Sequence, residues 1–371
     1  MSSIAKRPDG RWRARYRGPD GRERARHFDR KVDATRWLDE ATAGIVTGQW
    51  VDPRAGRQTF RQYAEQWRAA QVHRPSSAAH VETMLRRHVY PVLGDLPLSS
   101  VVPSTVQAWV KGLVLAPSTV QVVHGIVAGV FRAAVRDRRI ASNPCEGTRL
   151  PKRERHRVDP LTVEQVAALA EAAAPQWRAC VVLGAGAGLR NGEALGLTVD
   201  RVDFLRRSLL VDRQLVTVPG TPPRLGPPKT AASVRTVPLP SVVLDELARH
   251  VERHGTGPDG LLFVGAQRQA MTRTAFGNLW RPLVARSGLP DGTRFHDLRH
   301  HYASLLIRHG ESVKTVQARL GHASAAETLD TYSHLWPDSD DRTRDAVQGA
   351  LGAALAGDLA DQARTREVVQ T

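Results

Sequence analysis

Four segments in the second half of the chain combine cationic and proton-transferring side chains with glycines or helix starts. The residues concerned are Arg190, Glu193, Lys229, His296, Arg299, His322 and Tyr332. When a phosphodiester is attacked, negative charge builds up on the non-bridging oxygens of a pentacoordinate phosphorus, so an enzyme that lacks a metal needs fixed cations there. These residue types therefore predict phosphoryl transfer.

Arg190 and Arg299 can supply the fixed cations. A guanidinium is planar, forked and permanently charged, so two of them could hold one phosphate through paired hydrogen bonds, whereas a lysine would offer a point charge. Arg190 could instead simply pair with Glu193, one helical turn away. Both descriptions hold if Glu193 orients the guanidinium.

Taken in order, the four segments resemble the tyrosine recombinases, the family that includes the phage integrases. The matching motifs are G-L-R-x-x-E, a lysine between two strands, H-x-x-R, L-G-H and a tyrosine ten residues after that histidine. The N-terminal and helical regions look like the family's arm-binding and core-binding domains, although those segments are far less specific than the catalytic motifs.

The resemblance implies a site-specific DNA recombinase, an integrase of a phage or integrative element, that works through a 3′-phosphotyrosine and a free 5′-hydroxyl. No cofactor, metal or ATP is implied. Tyr332 would be the nucleophile, although a neutral phenol with a reference pKa near 10 needs nearby cations and a base. We assign Lys229 as the general acid to the 5′-oxygen. His296 and His322 would donate to the phosphate or exchange protons with Tyr332.

A zinc site is the first competing interpretation, because the segment from His296 to His300 superficially resembles the H-E-x-x-H helix of metalloproteases. The fit is poor, since Arg299 would oppose a metal ion, an aspartate replaces the glutamate and no third ligand motif follows. His300 matches no catalytic position of the family, and the same is true of His301 and His334. We expect these three histidines to be structural or to contact DNA.

Two relatives of an integrase are further alternatives. A DNA-binding protein that no longer cleaves would need a broken site, and no catalytic position is missing. A Xer-like dimer-resolving or transposon recombinase would share the same chemistry. An arginine-rich N-terminal sheet in addition to a helical DNA-binding region favours an integrase, because two kinds of DNA site need two readers.

The overall charge agrees with a nucleic-acid partner. Lys and Arg number 53 against 37 Asp and Glu, which gives a net charge of +16 and a pI of about 10.9. The first 36 residues alone hold twelve basic and five acidic side chains. No apolar run long enough for a membrane span is expected, and two cysteines cannot form a disulfide framework. We therefore expect a cytoplasmic protein that is nucleoid-associated when bound to DNA.

The segment R-W-R-A-R-Y-R alternates strictly, as a half-buried strand requires. Its exposed face would carry Arg11, Arg13, Arg15 and Arg17. With turn formers on either side it predicts a small three-stranded antiparallel sheet, covered by a helix from about Lys31 to Thr47. Such a sheet can insert into a DNA major groove, so the four arginines are candidate DNA contacts.

The fold class expected is mainly α with small β-sheets, an α+β protein of several domains. The domains are an arm-type DNA-binding domain at 1–52, a helical core-binding domain at 58–145, a basic linker at 146–158, a mixed α/β catalytic domain at 159–345 and a C-terminal helix or tail at 346–371. In the linker, Lys152, Arg153 and Arg155 would lie along DNA.

The expected partners are double-stranded DNA attachment sites and further copies of the chain, as a tetramer on DNA. An excision factor and a DNA-bending host protein would join them, and no membrane is involved. In the C-terminal stretch, Val347, Leu351 and Leu355 recur at four-residue spacing. This apolar stripe would either dock on a neighbouring protomer or form a core helix within its own chain.

Overall fold

A computed structural model describes residues 2–47, 50, 52, 55–153, 157–336 and 343–352. The chain separates into two compact units, Met1–Arg155 and His156–Thr371. Both consist mainly of helices with small antiparallel sheets. The predicted α+β fold class is therefore confirmed.

The first unit opens with the predicted three-stranded sheet and its covering helix. Strands β1 to β3 are followed by α1 at Ser3–Lys6, Trp12–Arg17, Glu23–Phe28 and Lys31–Val46. All neighbours pair antiparallel in the order β1-β2-β3. The alternation in β2 buries Ala14 and Tyr16 and exposes the arginines between them. Trp37 of α1 packs its ring on Tyr16 with centroids 5.2 Å apart, which closes a small aromatic core.

The arginines on β2 are exposed, and ion pairs with acidic neighbours partly neutralise their charge. Arg13 and Arg15 both lie within 4 Å of Glu23, at 3.4 and 3.7 Å, and Arg11, directly before β2, pairs with Asp29 at 3.2 Å. Surface pairs of this kind contribute only about 0–1 kcal/mol, so they can be exchanged for contacts to a phosphate at small cost.

Among the described residues, five α-helices make up most of the rest of the first unit. Helices α2 to α6 span Phe60–Ala70, Pro75–Met84, Tyr90–Leu93, Pro103–Gly112 and Pro117–Arg136. Thr59 precedes α2, and its hydroxyl accepts from the Gln62 amide in a capping box. A π-helical turn at Leu85–Val89 carries the helix into α4, where proline occupies a first-turn position that needs no amide hydrogen.

Among the described residues, α6 is the one helix with the length and hydropathy of a membrane span. One side of this helix packs inside the unit, because Val123, Val127 and Val130 are fully buried in the bundle core together with Phe131. Residues 152 and 153 at the end of this unit are exposed lysine and arginine. The third predicted contact of the basic linker, Arg155, lies outside the described residues.

The second unit holds eight helices and five short strands among its described residues. Its helices α7 to α14 span Val163–Ala172, Pro175–Ala187, Asn191–Leu195, Ser241–His254, Arg273–Arg286, Phe295–Arg308, Val313–Leu320 and Ala325–Tyr332. Its strands β4 to β8 span Val202–Asp203, Ser208–Val211, Gln214–Val216, Arg224–Gly226 and Arg235–Pro238. One continuous apolar core joins these elements.

The strands around Lys229 are more divided than the sequence predicts. The segment 208–216 holds two strands, β5 and β6, which belong to different sheets. β5 pairs with β4 and β8, whereas β6 pairs with β7 in a separate hairpin. Lys229 therefore lies in the segment that leads from the inserted hairpin back to β8, not in a turn between two directly paired strands.

The described part of the C-terminal stretch, residues 343–352, is helical. Val347 and Leu351 are about half exposed, at 52% and 53%. The third member of the predicted stripe, Leu355, lies outside the described residues. Within the described part, this stripe is therefore accessible rather than buried in a core.

Candidate active site

Two left-handed glycines place main-chain carbonyls at the centre of the second unit. Gly188 ends α8 and Gly321 ends α13, both with φ of 64°. A Cβ at Gly188 would lie 2.3 Å from the Tyr302 ring, so no larger residue fits at that helix end. Both helix ends turn their carbonyls inward, where they meet arginine side chains.

Arg299 of α12 is completely enclosed, with 1% of its surface exposed. Its Nη1 donates to the Gly188 carbonyl at 2.8 Å and its Nη2 to the Leu320 carbonyl at 2.6 Å. Burial, followed by the nearby Arg190 guanidinium, lowers the pKa of Arg299 to about 9. The side chain is thus still a cation at neutral pH, held by the dipoles of two helix C-termini.

Arg190 precedes α9 and is more accessible than Arg299, with 31% of its side chain exposed. Its Nη2 donates to the Gly321 carbonyl at 3.1 Å, the residue directly after the carbonyl that Arg299 binds. Its Nη1 donates to a Glu193 oxygen at 2.9 Å. The two arginines predicted to hold a phosphate therefore lie side by side at one helix end.

Glu193 binds a second arginine that sequence reasoning did not identify. Arg235, at the start of β8, is buried and forms a two-pronged ion pair with Glu193, at 2.9 and 3.2 Å. The hydrogen bonds and charge of Arg235 and Arg190 outweigh burial and keep the pKa of Glu193 below its usual value. The indication in the sequence was Glu193, because a carboxylate that becomes buried requires close cationic partners.

The site has more positive than negative charge. Arg190 and Arg235 both pair with the carboxylate of Glu193, and among the described residues no carboxylate lies within 4 Å of Arg299. Burying an unpaired charge is costly, so such an arrangement is suited to an anion that arrives from outside.

Tyr332 closes α14 and lies inside the same site, 1% exposed. Its hydroxyl is 2.8 Å from Nδ1 of His300. Burial raises the pKa of the Tyr332 phenol to about 12, although the charge of Arg299 acts in the opposite direction. The phenol is therefore neutral at physiological pH, and its attack on phosphorus requires removal of the proton.

The ring of His322 is nearly parallel to that of Tyr332, with planes 10° apart and a distance of 6.4 Å between the ring centroids. Its Nδ1 is 2.8 Å from the hydroxyl of Thr328, a residue with no exposed surface. Burial and the surrounding arginines, Arg299 first, lower the pKa of His322 to about 3. The ring is thus neutral and fixed by α14 in an orientation set by Thr328.

The other two predicted residues, His296 and Lys229, differ in their contacts with these side chains. His296, at the start of α12, is exposed and lies edge to face with His300 at 4.8 Å. Lys229 is exposed and makes no hydrogen bond or ion pair to the described part of the site.

Two of the histidines expected to be structural bind main-chain carbonyls. His301 Nδ1 lies 2.7 Å from the Leu161 oxygen, and His334 Nε2 lies 2.9 Å from the Val158 oxygen. His300 differs, since it contacts the phenol. Its spacing one position after Arg299 gave no signal of this, because the contact depends on where α14 lies. Within the described ranges, no group of three His, Cys, Asp or Glu side chains is arranged to hold a metal ion.

Three family models match the chain in order. The N-terminal domain of phage integrases matches residues 2–47, the phage integrase central domain matches 60–150, and the phage integrase family model matches 159–338. The last of these ranges contains Arg190, Arg299 and Tyr332.

Curated relatives and solved structures agree with the family models. A prophage phiRv2 integrase of Mycobacterium tuberculosis is 28% identical over 338 residues, covering 88% of this chain and 89% of its own length. The integrase of Mycobacterium phage D29 is also 28% identical, covering 87% of this chain and 90% of its own length. The Tn1549 transposon integrase in complex with a circular intermediate DNA has a TM-score of 0.68 at 25% identity, covering 78% of this chain and 99% of that chain.

A lambda integrase dimer bound to a COC' core site has the same fold, with a TM-score of 0.59 at 18% identity over 91% of this chain and 95% of that chain. The matches thus extend over the sheet, the helical bundle and the second unit. The chain belongs to the phage integrase family of tyrosine-type site-specific recombinases.

Proposed function

We propose that this recombinase integrates and excises a phage or integrative element by transferring a DNA phosphodiester to Tyr332, and that it needs neither metal nor ATP. The observation that carries the proposal is a half-buried Arg190 beside a buried Arg299, which has no carboxylate within 4 Å among the described residues, in the same site as a buried tyrosine. Two adjacent forked guanidiniums match the non-bridging oxygens of one phosphate.

In the proposed reaction, the Tyr332 oxygen bonds to phosphorus, the bond from phosphorus to the 5′-oxygen breaks, and the 5′-oxygen takes up a proton. The phosphodiester thus becomes a 3′-phosphotyrosine with a similar bond energy, so a 5′-hydroxyl can reverse the step without ATP. The developing charge on the phosphate is neutralised by arginines, which is the role a metal ion plays in other phosphoryl transferases.

The test is to incubate the protein with nicked duplexes that carry candidate core sites, in EDTA and without nucleotide. The nick lets the cleaved fragment diffuse away and traps the intermediate. We expect a covalent protein–DNA adduct that survives SDS. An adduct that forms only when divalent metal is restored would disprove metal independence, and the absence of any adduct under both conditions would disprove the proposed chemistry.

Lys229 is the proposed general acid to the leaving 5′-oxygen. Its exposed position on the segment between β7 and β8 allows the ammonium to approach bound DNA. We expect Lys229→Ala to slow adduct formation by about 10²- to 10⁴-fold, the usual contribution of a positioned acid. A substrate with sulfur in place of the bridging 5′-oxygen should restore the rate, because a thiolate leaves without a proton.

The matched variant for this experiment is Lys314→Ala, since Lys314 lies on α13 and its nearest polar contact is Gln317 at 3.4 Å. We expect it to cleave both substrates at the wild-type rate. A Lys229→Ala defect of equal size on the oxygen and sulfur substrates would exclude the acid role and leave Lys229 as a DNA contact.

The division into an arm-binding domain at 1–52, a core-binding domain at 58–145, a linker at 146–158, a catalytic domain at 159–345 and a tail at 346–371 is part of this proposal. The three family models and the division near residue 155 support it. The arginines of β2, together with Lys152 and Arg153, would contact DNA phosphates in the cytoplasm, where the recombinase associates with the nucleoid. An excision factor and a DNA-bending host protein complete the proposed partners.

We also propose a tetramer on two DNA duplexes, by analogy with a lambda integrase tetramer solved on a Holliday junction. The exposed Val347 and Leu351 suit docking of the C-terminal helix on a neighbouring protomer. The mass of the protein–DNA complex in solution gives its stoichiometry. A transposon recombinase is the second candidate, favoured by the similarity to the Tn1549 integrase. Sequencing the junctions that the element leaves in its host distinguishes the two.

A further inference from the structure

His300 is the side chain that holds the hydroxyl of Tyr332. Its Nδ1 lies 2.8 Å from the phenol oxygen, and the two rings meet at 64° with centroids 5.6 Å apart. His300 is half-buried on α12, directly after the phosphate-binding Arg299. One helix therefore carries both a cation for the phosphate and a nitrogen in contact with the nucleophile.

The other two imidazoles of the site are not arranged to accept the phenol proton. His322 is parallel to the Tyr332 ring and its Nδ1 contacts Thr328. His296 contacts the ring of His300, and in the described structure neither His296 nor His322 forms a hydrogen bond with the phenol. Proton transfer requires hydrogen-bond reach, which His300 alone of the three has here.

We propose that His300 is a catalytic residue, the general base that removes the proton from Tyr332 as the phenol attacks phosphorus. This inference rests on the proposed function and adds a residue to it. The O–H bond of Tyr332 breaks, its proton is transferred to Nδ1 of His300, and the imidazole becomes an imidazolium. When the 5′-hydroxyl later displaces the tyrosine, the phenolate oxygen takes that proton back.

The surroundings of His300 keep it in the form a base requires. Burial lowers its pKa, Arg299 acts in the same direction, and Asp297 on the same helix opposes both. Tyr332 faces it from α14, and His296 faces it from the start of α12. The imidazole is therefore unprotonated at neutral pH and can accept the proton. After transfer, the new positive charge lies beside the phosphotyrosine, where it is electrostatically favourable.

His300→Asn is the variant that separates a base from a purely positioning residue. The amide of Asn can place an oxygen or a nitrogen near the position of Nδ1, so it can keep the hydrogen bond to the phenol in either direction, but it cannot take up a proton. We expect adduct formation on the nicked duplexes to slow by about 100-fold or more, the size of a general-base contribution. Wild-type speed in this variant would overturn the proposal.

His301→Asn is the matched control, because His301 is the next residue on α12 and bonds to Leu161 rather than to the phenol. We expect it to form the adduct close to the wild-type rate at a similar melting temperature. Equal slowing in both variants would mean that α12 has been disturbed generally, and it would count against a specific role for His300.

A second measurement keeps the test independent of how well Asn fits. His300→Ala leaves a cavity beside the phenol, and added imidazole should raise the adduct rate in proportion to its concentration. No increase with imidazole would overturn the proposal. The bridging 5′-sulfur substrate should not rescue His300→Asn, since that defect lies in the nucleophile rather than in the leaving group. If the wild-type protein forms no adduct at all, the proposed function fails instead, so the two failures are distinguishable.

Discussion

Tyr332→Phe is expected to abolish the covalent protein–DNA adduct while leaving the fold and the affinity for DNA unchanged. The phenol oxygen is the atom that bonds to phosphorus in the proposed reaction, so no slower version of the step remains. The phenylalanine ring still packs against His322, whose ring lies parallel to it. The loss is limited to the hydrogen bond with His300, worth about 1 kcal/mol in net stability.

The measurements are SDS gel analysis of the adduct, DNA affinity by titration and the melting temperature. Tyr302→Phe is the control. Tyr302, on α12, is another buried tyrosine of the same unit, and it packs against Gly188. We expect Tyr302→Phe to form the adduct. An adduct that persists in Tyr332→Phe, or one that peptide mapping places on another residue, would remove Tyr332 from the mechanism.

Arg299→Met is expected to lower the rate of adduct formation by about 10²- to 10³-fold, the effect of removing one preorganised donor from a developing oxyanion. Its effect on the free energy of unfolding should be smaller than that of Arg235→Met, which also removes the donor to two carbonyls, those of Arg319 and Ser233. Methionine fills the apolar space, and the substitution removes a buried cation that has no carboxylate within 4 Å. Against this, the Gly188 and Leu320 carbonyls lose a donor, at a cost of about 1–3 kcal/mol for each buried group left unpaired.

Arg235→Met provides the contrast, since both arginines are buried but only Arg235 is tied to Glu193 by two hydrogen bonds. Its removal leaves a buried carboxylate short of a partner, which should lower the free energy of unfolding by about 3–5 kcal/mol. Urea titration of the two variants compares them directly. If Arg299→Met unfolds as easily as Arg235→Met, then Arg299 is a structural residue and the charge-excess argument is wrong.

Much of the fold follows from local patterns. The arginines of β2 alternate with Ala14 and Tyr16, and a two-residue period with turn formers on both sides is compatible with little except a half-buried strand. Thr59 and Gln62 form a capping box at the start of α2, a pattern that depends only on residues three positions apart. Such features depend on neighbours in the sequence, which is why they could be predicted.

The parts that could not be predicted depend on contacts between distant segments. Arg235 lies on β8, which pairs with β5, and it meets Glu193 although the two residues are 42 positions apart. The π-helical turn at Leu85–Val89 and the inserted β6–β7 hairpin depend on tertiary packing, which overrides the local sequence preferences there. His300 likewise reaches Tyr332 across 32 residues, so its role became visible only when α14 was placed.

The enclosure of Tyr332 has a consequence for a protomer that is not bound to its target. Its oxygen lies beneath the surface, whereas Arg190 is partly open to water. A passing duplex can therefore touch the outer guanidinium without meeting the atom that would break its strand. We expect this enclosure to spare the host chromosome from stray nicks during the search.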